Sequence, residues 1–306
     1  METIRVMSVE WHRGLRSWRF WLTVALTVFL FVLAMYQFVV PHVPGSAPTP
    51  PNYYNFFTGY MSGLGAYIDS AWVAFLPILA ALPSGDSLAF ERLRGVDATI
   101  ITRIGWRRYL LGKVLGNASL AGSATVVAML ITAVTAVMRF PIALPKLLGW
   151  TLTSKAIAGM SFQEKVSGVF ASDYWPDFHA HLFWAHPWIY LVVISTLAIW
   201  ATVAISGISI ATSVWIRRPI VVLVIPTALF WAGEFLAQSG WSQAWGPSEV
   251  AGSYLSMGDA FSKTYTVPTT WWDLALYWAV PALAVVAVVS WVAVRRKEWP
   301  QRGGGL

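Results

Sequence analysis

Not one of the 306 residues is cysteine, which excludes disulfides, thiolate metal sites and cysteine nucleophiles. The redox compartment stays open on that evidence. Charge is scarce as well: Asp, Glu, Lys and Arg make up 11% of the chain, against roughly 25% in a soluble domain. Hydrophobic residues make up 57%, and the mean hydropathy is +0.59. A chain so poor in charge has lipid rather than water as its main solvent. The phosphate-cradling run Gly, four residues, Gly-Lys-Ser/Thr is absent. Gly112-Lys113 has neither the upstream Gly nor the following hydroxyl, so that route to ATP hydrolysis is closed to this chain. His-Glu-x-x-His and Gly-x-Ser-x-Gly are missing too, and no catalytic residue is assigned.

What the chain has is long apolar runs. A hydrocarbon core of about 30 Å takes about 20 apolar residues per helix, and six windows approach that length: Phe20 to Val40, Ile68 to Pro83, Leu110 to Met138, Phe183 to Trp215, Pro219 to Ala237 and Trp272 to Val294. The second begins beside Asp69 and contains Pro77 and Pro83; it is expected to start near Gly59 and to kink. The expected fold is an all-α integral membrane protein, with an amphipathic interfacial helix over residues 1–19 and a six-helix transmembrane domain over 20–306. The first run exceeds the apolar stretch of about 7 to 15 residues in a signal peptide, so it reads as a retained span. Gly303 to Leu306 reads as a flexible tail or an expression remnant.

Basic residues orient the spans, because cytoplasmic flanks retain Lys and Arg. Arg5, Arg13, Arg16 and Arg19 precede the first span, and Arg92, Arg94, Arg103, Arg107, Arg108 and Lys113 lie between the second and third. Arg217 and Arg218 separate the fourth from the fifth, and Arg295, Arg296, Lys297 and Arg302 follow the sixth; these account for 16 of the 21 Lys and Arg. Both termini are therefore expected in the cytoplasm of a multi-pass protein of the cell (plasma) membrane. The same interspersed pattern, with no basic face, argues against nucleic acid as a partner. Many of the 19 Trp fit headgroup positions, Trp18, Trp21, Trp215 and Trp291 on the inner side and Trp72, Trp184, Trp188, Trp271 and Trp272 on the outer.

Outside the spans, Met1 to Arg19 interleaves Ile4, Met7, Val9, Trp11, Leu15 and Trp18 with four Arg, and is expected to lie on the inner leaflet or simply to anchor the first span. The loop Ser84 to Lys113 predicts an amphipathic helix, capped by Asp86 or Ser87. Leu88, Phe90, Leu93, Val96, Ile100, Ile101 and Ile104 form its apolar side, and Gly105 stops it. Lys113 is expected to reach back to the headgroups along its stem. The loops 139–182 and 238–271 are expected outside; the first carries Asp173, Asp177, His179 and His181 without a metal-ligand spacing, so no metal site is assigned. Ionisable residues in hydrocarbon are default functional candidates. Glu234, about 22 Å into the fifth span, and Asp69, at an outer boundary, are the pathway or substrate candidates.

Phe90-Glu91-Arg92 followed by Gly95, an apolar segment through Ile100 and Ile104, and then Arg107-Arg108-Tyr109-Leu110-Leu111-Gly112-Lys113 resembles the type-2 permease subunits of ATP-binding-cassette (ABC) exporters, also called type V exporters. In that family an acid and a base precede a Gly, a coupling helix follows, and a Gly-Lys pair opens the third span. The match is specific over about thirty residues, while span number, N-terminal helix and terminus placement agree loosely over the rest. Val96-Asp97 after Gly95 departs from the family's Gly-Thr-Leu order. The resemblance implies a separate ATPase subunit, carrying ATP and Mg, docked on the 84–113 loop through Phe90, Glu91, Arg92, Leu93, Gly95, Ile100 and Arg103. It implies a second permease chain, identical or different, short re-entrant helices within 240–270, and no cofactor in this chain. On that reading ATP-driven closure tilts the second and third spans and exports a hydrophobic or amphipathic substrate. An ion-coupled secondary transporter or channel, or a membrane-bound enzyme or assembly factor, are the alternatives that hydrophobic spans alone leave open.

Overall fold

The computed structural model describes residues 2–39, 56–64, 71–142, 182, 186–238 and 271–295. Asp69, the 240–270 segment and nearly all of the two long loops lie outside the described residues. Within the described residues the structure is helical and contains no strand. In chain order the helices are α1 (Glu2–Leu15), α2 (Trp18–Val39), α3 (Phe56–Leu64), α4 (Ala71–Ala81), α5 (Ser87–Leu93), α6 (Val96–Ile104), α7 (Trp106–Arg139), α8 (Pro187–Ser213), α9 (Pro219–Gln238) and α10 (Trp271–Arg295).

Local chemistry sets several boundaries. The Ser17 hydroxyl accepts the Phe20 N–H at 3.3 Å and so caps α2. Pro187 opens α8, where a fixed φ suits the first turn and the missing N–H leaves nothing unpaired. Among the described residues three stretches are long and apolar enough to cross a membrane: Trp18–Met35, Trp106–Arg139 and Pro187–Ser213. At 1.5 Å per residue the 34-residue α7 is about 51 Å long, longer than a hydrocarbon core of about 30 Å. The outward surface is apolar as well, with Met138, Phe235 and Val280 among its most exposed side chains, which suits hydrocarbon and not water.

α7 and α8 lie together at the centre; α1 and α2 pack mainly on α7, α3 mainly on α2, and α4, α9 and α10 mainly on α8. The largest core cluster joins Phe31 of α2, Phe57 and Met61 of α3, Met129 of α7, and Tyr190, Ile194 and Ala201 of α8. Where helices lie in lipid, such contacts act by close packing rather than by expelling water. The small residues Ala198, Ala201, Ala204, Ser206 and Ser209 along α8 let its neighbours come near.

The bundle has two unlike ends. At one, the Trp188 ring meets Phe56 and Phe57 at centroid separations of 5.4 and 4.9 Å. Phe140 covers Gly59 there so tightly that a Cβ would sit 2.4 Å from its ring. At the other end, 27 residues along α8, ionised side chains from several helices converge.

Two expectations change, and a third lies partly outside the described residues: of the second apolar window, extended back toward Gly59, the structure describes α3 and α4, with Pro77 inside the latter. The single amphipathic helix expected in the 84–113 loop is broken at Arg94-Gly95 into α5 and α6. Gly95 adopts φ +69°, a left-handed turn that an L side chain resists, and Gly105 then stops α6 at φ +82° as expected. Asp86 occupies the cap position of α5, but its side chain makes no capping bond; a guanidinium engages it instead.

Candidate functional site

The ionic end is assembled around α5. The Arg19 guanidinium at the start of α2 donates to both carboxylate oxygens of Asp86, at 2.7 and 2.6 Å, a charge-assisted pair stronger than the backbone cap it replaces. It also lies over the Phe90 ring, 5.6 Å from the centroid, while Arg94 flanks the same ring at 5.1 Å. Phe90 is thereby held between two cations, and the turn into α5 is tied to the first long helix.

Glu91 is the centre of the cluster. Its buried carboxylate accepts from Arg13 of α1 at 3.0 Å and pairs with Lys113 of α7 at 2.8 Å, and the Tyr109 hydroxyl donates to its other oxygen. The Lys113 ammonium also donates to Glu10 of α1 at 2.8 Å. Lys113 is 1% exposed. The expected reach toward headgroups therefore does not occur: two carboxylates inside the fold attract the ammonium more strongly than the headgroup layer does. Glu10, Glu91, Lys113 and Arg13 form a charge-balanced node that fastens α1, α5 and α7 to one another.

α1 reaches the node because α7 presents glycine to it. A Cβ on Gly112 would stand 2.6 Å from the Val6 Cβ, and one on Gly116 2.7 Å from the Glu10 Cβ; across the interface, a Cβ on Gly14 would stand 2.3 Å from Leu120. Gly112 and Gly116 are four apart, hence on one face, and they make the small-x-x-x-small groove that lets two helices approach closely. One side of the expected interfacial helix is consequently packed on protein, and Ile4, Val9 and Trp18 remain exposed.

Arg92 points the other way. It donates to the Ser213 carbonyl at 3.0 Å and to the Val214 carbonyl, and faces Asp97 at 3.9 Å. The last carbonyls of a helix have no partner inside it and carry partial negative charge, so the guanidinium closes the end of α8. Beneath the α4–α5 turn, the Ser84 hydroxyl donates to Asn117 Oδ1 at 2.6 Å, and Asn117 Nδ2 donates to the Ser206 carbonyl at 3.0 Å. Gly85 fits there because a Cβ would lie 2.6 Å from the Ala81 carbonyl oxygen and 2.7 Å from the Ser209 Cβ.

The residues of the acid-base-Gly segment therefore divide. Glu91 and Arg92 are turned inward, Phe90 and Ile100 are half-buried, and Leu93, Gly95 and Arg103 are open. The break at Gly95 is the cause: it swings Leu93 and Val96 off the apolar side that a continuous helix would have formed, leaving them 62% and 45% exposed. Ile100, Ile101 and Ile104 stay packed on a cluster containing Tyr109, Val214 and Val292. Glu234 lies on α9, and its side chain is outside those described; Asp69 is outside altogether. Sequence reasoning overlooked Glu10, Arg13, Arg19 and Tyr109 as partners of the loop. The available signal was Gly112-x-x-x-Gly116, which marks a close helix contact without saying which helix makes it.

The node has a pH signature. Burial pushes the Glu91 carboxyl upward, but Lys113, Tyr109 and Arg13 together outweigh it and hold the group below its ordinary value of 4.5. A depressed carboxyl contributes stability that is complete above the unfolded value and is lost as pH falls through the folded one. The melting temperature of the purified chain should thus begin to fall below about pH 4.5, and Glu91→Gln should flatten that limb. Intrinsic Trp fluorescence melts at stepped pH check this; an unchanged limb in Glu91→Gln removes Glu91 as its source.

No protein family matches this chain, and no curated protein matches it either.

Proposed function

We propose that this chain is the transmembrane permease subunit of an ATP-driven ABC exporter, moving a hydrophobic or amphipathic substrate with energy from a separate ATPase subunit. The reading carries the finer topology with it: six spans, both termini in the cytoplasm, the ionic end facing in, and a second permease chain completing the pathway. The observation that carries it is the α5–α6 corner. Its outer edge, Leu93, Gly95, Val96 and Arg103, is open and partly apolar, while Glu91 and Arg92 key its inner side to α1, α7 and the end of α8.

Such an element transmits force. A soluble partner pressing on the corner displaces no loose loop, because the ion pairs and carbonyl contacts beneath it pass the movement to two helices long enough to span the membrane. Leu93, Gly95 and Arg103 are the contact residues on this reading, Phe90 and Ile100 support them, and Glu91 and Arg92 transmit. ATP and Mg belong to the partner.

The absence of native cysteine makes the test clean. Leu93→Cys and Arg103→Cys, each carrying the only thiol of the chain, should crosslink in native membranes to a chain that bears a phosphate-binding loop. Trp188→Cys, at the aromatic end, should not. Leu93→Asp should reduce the ATPase turnover of the purified assembly by at least about tenfold, the effect of losing one buried anchor at an interface, with the melting temperature unchanged. Crosslinks from Leu93 to no ATP-hydrolysing chain, or transport by this chain alone on an ion gradient, would overturn the reading.

A further inference from the structure

Among the described residues the ionic end holds more positive than negative charge. Every described carboxylate there already has a cation: Glu2 has Arg108, Glu10 has Lys113, Asp86 has Arg19, Glu91 has Arg13 and Lys113, and Asp97 has Arg92. Arg217 and Arg218, in the short turn between α8 and α9, are exposed and have no carboxylate within ion-pair distance among the described residues.

Their surroundings are not those of a water-facing charge. Trp215 on one side is 55% exposed and Ile220 on the other 77%. The pair sits between the apolar stretch Pro187–Ser213 and the shorter apolar stretch Pro219–Gly233. Two arginines between an indole and an aliphatic side chain, at the junction of two apolar helices, occupy the depth where headgroups begin. Arg92 stands nearby, its guanidinium turned to the α8 carbonyls. Burial lowers the proton affinity of Arg92, Asp97 at 3.9 Å opposes that, and the like charge of Arg217 adds to it.

We propose that the α8–α9 turn, through Arg217 and Arg218 with Trp215 and Ile220 beside them, binds the phosphate headgroup of an anionic phospholipid in the adjoining leaflet. The guanidinium pair takes the phosphate oxygens in its fixed fork geometry, and Trp215 and Ile220 lie along the acyl chains. The neutralised turn then holds the end of α8 and the start of α9 at one depth beside α5. This site needs the membrane but not the exporter reading.

Native mass spectrometry of the detergent-purified full chain, titrated with phosphatidylglycerol or with phosphatidylcholine, tests it. Each arginine near an anionic surface contributes about 1 kcal/mol, so Arg217→Gln with Arg218→Gln should bind phosphatidylglycerol roughly 30-fold more weakly. Arg217→Lys with Arg218→Lys keeps the charge but loses the fork, and should bind with an affinity between those of the parent and the double-glutamine variant. Arg5→Gln with Arg16→Gln removes equal charge from the N-terminal segment and should leave the binding unchanged. Equal loss in that variant shows a diffuse charge effect and overturns the proposal. Equal binding of phosphatidylcholine overturns it too, and so does displacement by inorganic phosphate at matched concentration, which would mark a soluble anion as the occupant.

Discussion

Replacing Lys113 by Met should destabilise the protein by about 3 to 5 kcal/mol, the usual effect of removing one partner from a buried ion pair. The two carboxylates are unequally hurt. Glu91 keeps Arg13 at 3.0 Å and the Tyr109 hydroxyl, whereas Lys113 is the partner that Glu10 has. The orphan is Glu10, buried against Gly116. A melting temperature lower by roughly 5 to 10 °C is expected, read from intrinsic fluorescence of the 19 Trp. Adding Glu10→Met to Lys113→Met should restore at least half of the loss, because no buried charge is then left unpaired and the apolar pair fills the space. A purely packing role for the lysine stem predicts no such recovery. An unchanged melting temperature in Lys113→Met would remove the node from the account of what holds α1 to α7.

The second large effect is steric. Gly112→Val with Gly116→Val places side chains where even a Cβ would sit 2.6 Å from Val6 and 2.7 Å from Glu10. The contacting atoms lie close to the α1 backbone and cannot swing aside, so α1 itself must move. Overpacking of this kind costs about 1 to 3 kcal/mol at each site, and here it also draws Glu10 away from Lys113. The displacement can be read separately from stability. A thiol introduced as Val6→Cys faces α7 in the parent and should react slowly; in the double-valine background it should react at least about tenfold faster, as expected for a helix whose closed state loses more than 1.4 kcal/mol. Equal labelling rates would show that α1 tolerates the bulk without moving.

Composition and apolar run length were enough to predict long apolar helices. Apolar runs longer than a globular core requires predicted α2, α7 and α8, because a helix is the arrangement that satisfies every backbone group within one segment in hydrocarbon. The loop helix was legible only as a stripe of apolar residues. That stripe runs through Gly95, and periodicity cannot say whether a glycine will be carried along in a helix or will turn it; the structure shows the left-handed turn. Lys113 was read from its position beside an apolar run, which fits a headgroup contact when no partner is in view. Its partners, Glu10 and Glu91, lie 103 and 22 residues away, and no local spacing names them.

Amino-acid order alone therefore determined that this is a helical chain with apolar runs long enough to cross a membrane, because burial of backbone and exclusion of charge act on each segment separately. Which charges would meet was decided only when the helices packed. Glycines at 112 and 116 bring α1 within reach of α7; Glu10, Glu91 and Lys113 then neutralise one another inside, and Arg92 closes α8. Ion pairing depends on distance in space and on burial, and neither exists until the tertiary structure does.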